Sequence, residues 1–411
     1  MKIKNIKYQN YKGLKIDELS FNDHLTVVIG KNGAGKTSVL SSIVVALSWI
    51  ISRLKSEKGK GLYIEEDAIT NGKSHSKIEA KFDCFDSYIR IPNESKKGIQ
   101  KKYTLDIETI KEYTSNKRAE FERTNFKTSI PTFVYYGVRR AVIDIPLRVR
   151  NQEYALLDAY TDFTKGSANF RDFFTWFRNQ EDIENEYIVK GKTEGSVARD
   201  LDTFRNALQV FMPEYTNIHI RRNPLRMLVE KEGKSLNVNQ LSDGEKIYLA
   251  LIGDLCHRLV LANPTLDNPL QGEGIVLIDE IDLHLHPEWQ GSFAEKLPEV
   301  FPNIQFIVTT HSPHVLNHVQ SSLIRKLEND DLSIPDYSYG MPTEIVLKDV
   351  MNLSHDLPIE IEKPISEIYL ELNKNNLNRS KELCAELESK VPNQPELIRI
   401  RKLIERLERR G

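Results

Sequence analysis

The stretch "VVIGKNGAGKTSVL", Val27 to Leu40, decides the fold. Three apolar residues run into a loop with three glycines, two lysines and a threonine, and the chain then turns apolar again. Gly30, Gly35, Lys36 and Thr37 satisfy the pattern G-x-x-x-x-G-K-[ST], with a strand-like run before it and a helix-like run after it. Glycines let successive backbone amides converge on one point without Cβ clashes, and a helix N-terminus adds its positive end. Lys36 supplies a point charge, and Thr37 offers a hydroxyl to Mg²⁺. The expected phosphate cradle therefore comprises Gly30, Lys31, Asn32, Gly33, Ala34, Gly35, Lys36, Thr37 and Ser38.

Working outward, the 411 residues allow one large or two ordinary domains with an ample core. Apolar residues make up 40% and charged residues 28%, the balance of a soluble globular protein. A net charge of -2 excludes binding to nucleic acid by bulk charge, so any such contact needs a local basic patch. No uninterrupted apolar run reaches the ~18 residues of a membrane span, so a cytoplasmic location and no membrane partner are expected. Cys84, Cys256 and Cys384 are odd in number and widely spaced, which reads as free thiols.

Along the chain, Lys2 to Ile29 reads as short strands and Thr37 to Leu54 as a buried helix. Residues 55–130 turn polar, and "KIEAKFDCF" and "KKYTLDIETI" read as exposed antiparallel hairpins. "TFVYYGVRR", Thr132 to Arg140, reads as an inner strand running into a basic turn. Residues 150–215 read as a helical subdomain, in which Phe170, Phe173, Phe174 and Phe177 form a core stripe rather than a base-stacking surface. "IHIRRN" and "RMLVEKEG" read as a strand pair. Residues 351–411 form a helical appendix, with Ile365, Ile368, Tyr369 and Leu372 at helical spacing and a second stripe at Leu397, Ile400, Ile404 and Leu407.

Three further motifs follow the loop. "GIVLIDEID", Gly274 to Asp282, is an apolar run ending in acids, as in a buried parallel strand that delivers its last residues to the sheet edge where the loop sits. Asp279 suits Mg²⁺, and Glu280 could polarise an attacking water; the alternative is a helix cap. "IQFIVTTHSPHVL", Ile304 to Leu316, ends a third strand near Thr310, His311 and Ser312, with His311 placed to donate to a γ-phosphate or simply structural. "QLSDGEKIYLALIGDL" places Ser242, Asp243 and Gly244 at a helix start, either a second phosphate site or an ordinary N-cap.

"GKNGAGKTS", "LSDGE", "IVLIDE", Asp282 and His311 together resemble the Walker A, signature, Walker B, D-loop and switch histidine of ABC-type ATPases. The head resembles the soluble branch with SMC, RecF and OLD proteins. Within it, "EGIVLIDEIDLHLHPEWQ" and "NIQFIVTTHSPHVL" look most like the PtuA ATPases of Septu and retron-associated antiphage systems. The resemblance implies an α/β fold, a P-loop NTPase head of residues 1–350 with a mixed sheet and helices on both faces. It implies ATP and Mg²⁺, with Mg²⁺ on Thr37 and Asp279, catalysis by Lys36, Glu280 and His311, and Ser242, Asp243 and Gly244 acting on the nucleotide of another subunit. Implied partners are a second copy in a head-to-head dimer or higher even oligomer, an HNH nuclease subunit, and DNA or a retron reverse transcriptase with its DNA. A RecF- or SMC-like repair ATPase that clamps DNA is the alternative. An OLD-type nuclease is disfavoured because the chain after His311 lacks a complete Toprim pattern.

One departure is that the sequence does not identify a Q-loop glutamine; "YYGVRR" occupies the region where the strand leading to it should end, with Arg139 or Arg140 as a candidate contact to phosphate or DNA instead. About 205 residues separate cradle and signature, too few for an SMC-length coiled coil. His284 and His286, at i and i+2, share a face only of a strand, which favours packing over a metal site. Arg139, Arg140, Arg148, Arg150, Arg221, Arg222 and Arg226 are either solvated surface or a DNA-facing patch.

Overall fold

A computed structural model describes residues 1–94, 104–138, 153–190, 195–328, 331–352, 359–374, 376–392 and 394–408. Arg139, Arg140, Arg148 and Arg150 lie outside the described residues. The chain divides into two compact units, Met1–Val346 and Leu347–Gly411.

Among the described residues, the first unit is built on three sheets. An antiparallel sheet runs β2–β1–β4–β5, from β1 (Ile3–Gln9), β2 (Glu18–Ser20), β4 (His75–Phe82) and β5 (Ile89–Glu94). The central sheet contains β3 (Leu25–Gly30), β6 (Thr132–Tyr136), β10 (Gly274–Ile278), β11 (Ile304–Thr309), β12 (Ile324–Glu328) and β13 (Asp331–Ser333), in the order β13–β12–β3–β11–β10–β6. Within it all neighbours are parallel except β12 and β13, so the sheet is mixed. A small antiparallel sheet joins β7 (Tyr215–Arg222), β8 (Leu225–Lys231) and β9 (Lys234–Asn237).

Helix α1 (Lys36–Lys55) follows β3 directly and is buried along most of its length. Val39, Leu40, Ile43 and Trp49 join one apolar cluster with Ile3, Ile6, Ile78 and Ile91 of the antiparallel sheet and with Phe133, Ile275 and Ile307 of the central one. The helix is long and apolar enough to cross a membrane, yet it fills the space between two sheets, which explains why its apolar residues run all round it. On the opposite side of the central sheet lie α3 (Phe170–Val189), α4 (Gly195–Phe211), α5 (Asp243–Ala262) and α6 (Pro287–Val300). The fold is thus α/β, with helices on both faces of a mixed sheet.

Phe170, Phe173, Phe174 and Phe177 are buried, and Phe173 and Phe177 pack on Phe204 of α4 with ring centroids 4.8 and 5.7 Å away. A Cβ on Gly253 of α5 would stand 2.8 Å from the Phe173 ring, so a glycine lets these helices approach. The aromatic stripe is core.

Three expectations are corrected. "KIEAKFDCF" does form a strand, but its alternate residues are buried against α1 rather than exposed. Of "KKYTLDIETI", residues 101–103 lie outside the described residues; Asp106 makes a single antiparallel bridge to Arg90 of β5, and Ile107 then caps α2 (Glu108–Thr124), a polar helix that buries only Ile110, Thr114 and Phe121. β6 is also the end strand of the central sheet among the described residues, not an inner one. It reads as inner because neighbouring elements bury Thr132, Phe133, Val134 and Tyr136.

Among the described residues, the second unit holds the α-helices Ile359–Asn373, Leu377–Lys390 and Pro395–Glu408. Ile365, Ile368, Leu372, Leu397, Ile400 and Ile404 meet Leu383, Cys384 and Leu387 in a core of their own. The two stripes therefore face one another across the middle helix, whose own apolar positions completed the set.

Candidate functional site

Parallel pairing sets the site. β11 lies between β3 and β10, with Thr309 opposite Val28 and Ile278 opposite Val308, so the C-terminal ends of the three strands lie side by side. The loop Gly30–Gly35, the acids from Asp279 on and the residues after Thr309 all leave the sheet at this edge.

The loop needs its glycines for different reasons. Gly33 and Gly35 sit at φ +82° and +98°, where side chains are strained, and Gly35 is the left-handed N-cap of α1. A Cβ on Gly30, at φ +154°, would collide with the carbonyl oxygen of Leu327 on β12. Lys31, Asn32, Gly33 and Thr37 are exposed, Ala34, Gly35 and Ser38 half-buried. Lys36 is 7% exposed and folds back so that Nζ donates to the carbonyls of Gly30 (2.9 Å) and Lys31 (3.3 Å). Burial lowers the Lys36 pKa, while the carboxylates of Glu280, Asp279 and Asp282 pull it back up. An ammonium held only by backbone carbonyls, next to exposed loop amides, is well suited to an incoming polyphosphate.

Asp279 is buried and its two oxygens are separately engaged. Thr37 Oγ1 donates to Oδ2 at 2.9 Å, and Thr309 Oγ1 donates to Oδ1 at 2.6 Å. The Asp279 amide donates to the Tyr136 carbonyl at 2.7 Å, which ties the acidic turn to β6 as well. Glu280 adopts φ +49°, a left-handed conformation rare for a residue with a side chain. Thr310 Oγ1 donates to Asp282 Oδ1 at 2.6 Å, and Ser312 Oγ to Gln290 Oε1 at 2.6 Å. His311 is half-buried; desolvation first, then the positive charge of Lys36, lowers its pKa, against the carboxylates of Glu280, Asp282 and Asp279. It is therefore a neutral imidazole in the same electrostatic field as the cradle.

Ser242, Asp243 and Gly244 open α5, with Ser242 and Asp243 exposed. Ser242 and Glu245 form a capping box: the Ser242 hydroxyl accepts from the Glu245 amide (3.3 Å) and the Glu245 carboxylate from the Ser242 amide (2.7 Å). Glu245 also takes a hydrogen bond from Tyr215 and an ion pair with Lys231 at 3.0 Å. Burial raises its pKa, but these donors outweigh it and hold the carboxyl at about 2. A Cβ on Gly244 would meet the His284 carbonyl, so the helix start leans on the segment that follows Asp282. The structure thus gathers Lys36, Thr37, Asp279, Glu280 and His311 at one place, and joins the serine-capped helix to it only through that segment.

The two segment histidines have local roles. His284 sits at φ +66°, and His286 caps α6, its Nδ1 3.5 Å from the Glu288 amide. Arg221, Arg222 and Arg226 are exposed; Arg222 pairs with Glu181 (2.7 Å) and Asp182, which ties β7 to α3. Sequence reasoning placed Thr310 at the strand end without giving it a role, and missed Thr309. The doubled threonine ahead of the histidine was the available signal.

A glycine cradle entering a helix, with a buried aspartate just past the end of β10 and a neutral histidine just past the end of β11, the strand between β10 and the cradle's own, defines an ABC-type P-loop ATPase. Residues 25–317 match the family model described as "AAA domain, putative AbiEii toxin, Type IV TA system", and the chain belongs to that family. It is 32% identical to "Retron Ec83 probable ATPase" of Escherichia coli, over 80% of this chain and 72% of that protein. It is 30% identical to "Retron Vc95 probable ATPase" of Vibrio cholerae, over 80% and 74%. Likeness to "Septu protein PtuA" of Bacillus thuringiensis is weaker in identity, 24%, but spans 91% of this chain and 90% of that one. The chain is an ATPase.

Proposed function

We propose that this chain is the ATPase subunit of a bacterial antiphage complex, which dimerises head to head around two nucleotides and controls an associated HNH nuclease. The observation that carries the ATP chemistry is the double engagement of Asp279, which fixes the acidic strand end against Thr37 of the cradle. The defence setting is supported by relatives named for retrons and for Septu. The HNH partner and the dimer come from the resemblance to the Septu ATPases.

In this reading the amides of Asn32 to Thr37 and the Lys36 ammonium bind the phosphates. Thr37 and Asp279, oxygen donors already side by side, would hold Mg²⁺, which when bound neutralises charge on the phosphates. Glu280 accepts a proton from the attacking water. His311, neutral near pH 7, donates to the terminal phosphate and registers its departure. Ser242 offers its hydroxyl proton, and Asp243 and Gly244 the amides of a helix start, to the nucleotide of the opposite subunit.

The test is to purify the chain with and without the product of its neighbouring gene, expected to be an HNH protein, and to measure ATP hydrolysis and DNA cleavage for wild type, Lys36→Ala and Glu280→Gln. Hydrolysis lost in both variants, with ATP-responsive cleavage only when the HNH protein is present, is expected. Full-rate DNA cleavage by the lone chain overturns the partner model.

A further inference from the structure

The geometry points to Thr309 as the positioning residue of the hydrolytic centre, setting the Asp279 carboxylate and the Glu280 backbone through one hydroxyl and one carbonyl. This rests on the reading of the site as a Mg²⁺–ATP centre. Thr309 is the last residue of β11, is 0% exposed, and lies two positions before His311.

A threonine hydroxyl has one proton and two lone pairs. Here the proton goes to Asp279 Oδ1 at 2.6 Å, and a lone pair accepts the Glu280 amide at 2.7 Å. The Thr309 carbonyl accepts the next amide, Ile281, at 2.8 Å. Three hydrogen bonds from one residue therefore bind three consecutive residues of the acidic turn. This clamp falls where the backbone is least comfortable, since Glu280 is held at φ +49°. A left-handed conformation at a residue with a side chain persists only where its surroundings fix it.

The consequence for chemistry is an assignment of lone pairs. Oδ1 of Asp279 is occupied by a buried donor, which turns Oδ2 toward Thr37 and the phosphate cradle. Glu280 leaves the strand in a direction set by its own amide bond. Because His311 follows Thr309 by two residues, the segment that leaves the end of β11 toward the phosphate sensor starts from the clamp on the acids.

Thr309→Val keeps shape and removes the hydroxyl; Thr309→Ser keeps the hydroxyl. For Thr309→Val, kcat should fall about 10- to 100-fold, as when partners of metal-binding carboxylates are removed, with KM for ATP nearly unchanged. Mn²⁺ binding in the presence of a non-hydrolysable ATP analogue, followed by electron paramagnetic resonance, should weaken by a similar factor. Thr309→Ser should restore both, and melting temperature reports whether the valine variant folds. Wild-type kcat and Mn²⁺ affinity in a folded Thr309→Val overturn the assignment, as does loss of kcat, ATP binding and melting temperature together. Glu280→Gln is measured in parallel: if it still hydrolyses ATP, the underlying reading falls with this one, whereas its loss beside an active Thr309→Val overturns the Thr309 role alone.

Discussion

Thr37 Oγ1 donates to Asp279 Oδ2 at 2.9 Å, joining the start of α1 to the end of β10 across 242 residues of sequence. The same carboxylate accepts from Thr309 on its other oxygen, so both of its faces are spoken for inside the protein. Asp279→Asn keeps the shape but turns one of these oxygens into a donor, which cannot accept from either threonine. Turnover should fall by about 100-fold or more, and the unmatched buried hydroxyl should cost about 1–3 kcal/mol of stability. ATP binding measured without Mg²⁺ should change little, because Lys36 and the loop amides are intact. Calorimetry with and without Mg²⁺ separates the two effects.

The cradle glycines are not equivalent. An alanine at Gly33 meets open space and has only the strain of φ +82°, about 1 kcal/mol. At Gly35 the same strain is joined by contact with the Leu14 methyl group, which can rotate away. At Gly30 the obstacle is the Leu327 carbonyl, backbone of the neighbouring strand, which cannot move without breaking the β3–β12 pairing. Chemical denaturation should rank the losses Gly30→Ala above Gly35→Ala above Gly33→Ala, with the first at about 3 kcal/mol. A Gly30→Ala variant as stable as wild type would contradict this packing.

Legibility in the sequence followed locality. The cradle, the apolar strand ending in Asp279 and the strand ending near His311 were readable because each is a short run whose period and end residues carry the signal. The phenylalanine stripe was readable for the same reason. α2 was not, since a helix that buries only Ile110, Thr114 and Phe121 leaves almost no apolar period. Nor were the contacts of Thr309 and Thr310, because they depend on which strands are neighbours and in what register, a property of the whole sheet. The capping box at Ser242 was half legible: the serine and Glu245 spell it, but the tether through Tyr215 and Lys231 comes from a distant sheet.

A pH response follows from His257 on α5. The ring is buried, stacks on Trp176 with centroids 5.0 Å apart, and its Nε2 has no hydrogen-bond partner among the described residues. Burial, only partly opposed by Asp254, pushes its pKa down to about 3 from 6.5. The unfolded chain therefore binds a proton that the folded one refuses. The stability this group contributes is fully present above pH about 6.5 and is lost as pH falls toward 3, at up to ~1.4 kcal/mol per pH unit. His257→Phe retains the stack and removes the titration. Denaturation midpoints measured from pH 7 to 5 should fall less steeply for the variant, and equal slopes would contradict a neutral buried imidazole.

Ser242 offers the sharpest test of action between subunits. Its hydroxyl and amide are engaged with Glu245, so replacing it costs about 1 kcal/mol of helix capping and leaves the cradle of its own chain untouched. If the serine-capped helix serves the opposite subunit, Ser242→Arg should hydrolyse no ATP yet still bind it, while Lys36→Ala should do neither. A dimer of one Lys36→Ala and one Ser242→Arg subunit then has one site with both faults and one site with none. Co-expressed in equal amounts, random pairing should restore about one quarter of the wild-type rate. A chain carrying both substitutions, paired with itself, should stay inactive. Full turnover by Ser242→Arg alone, or no recovery in verified mixed dimers, would show that each subunit completes its own site.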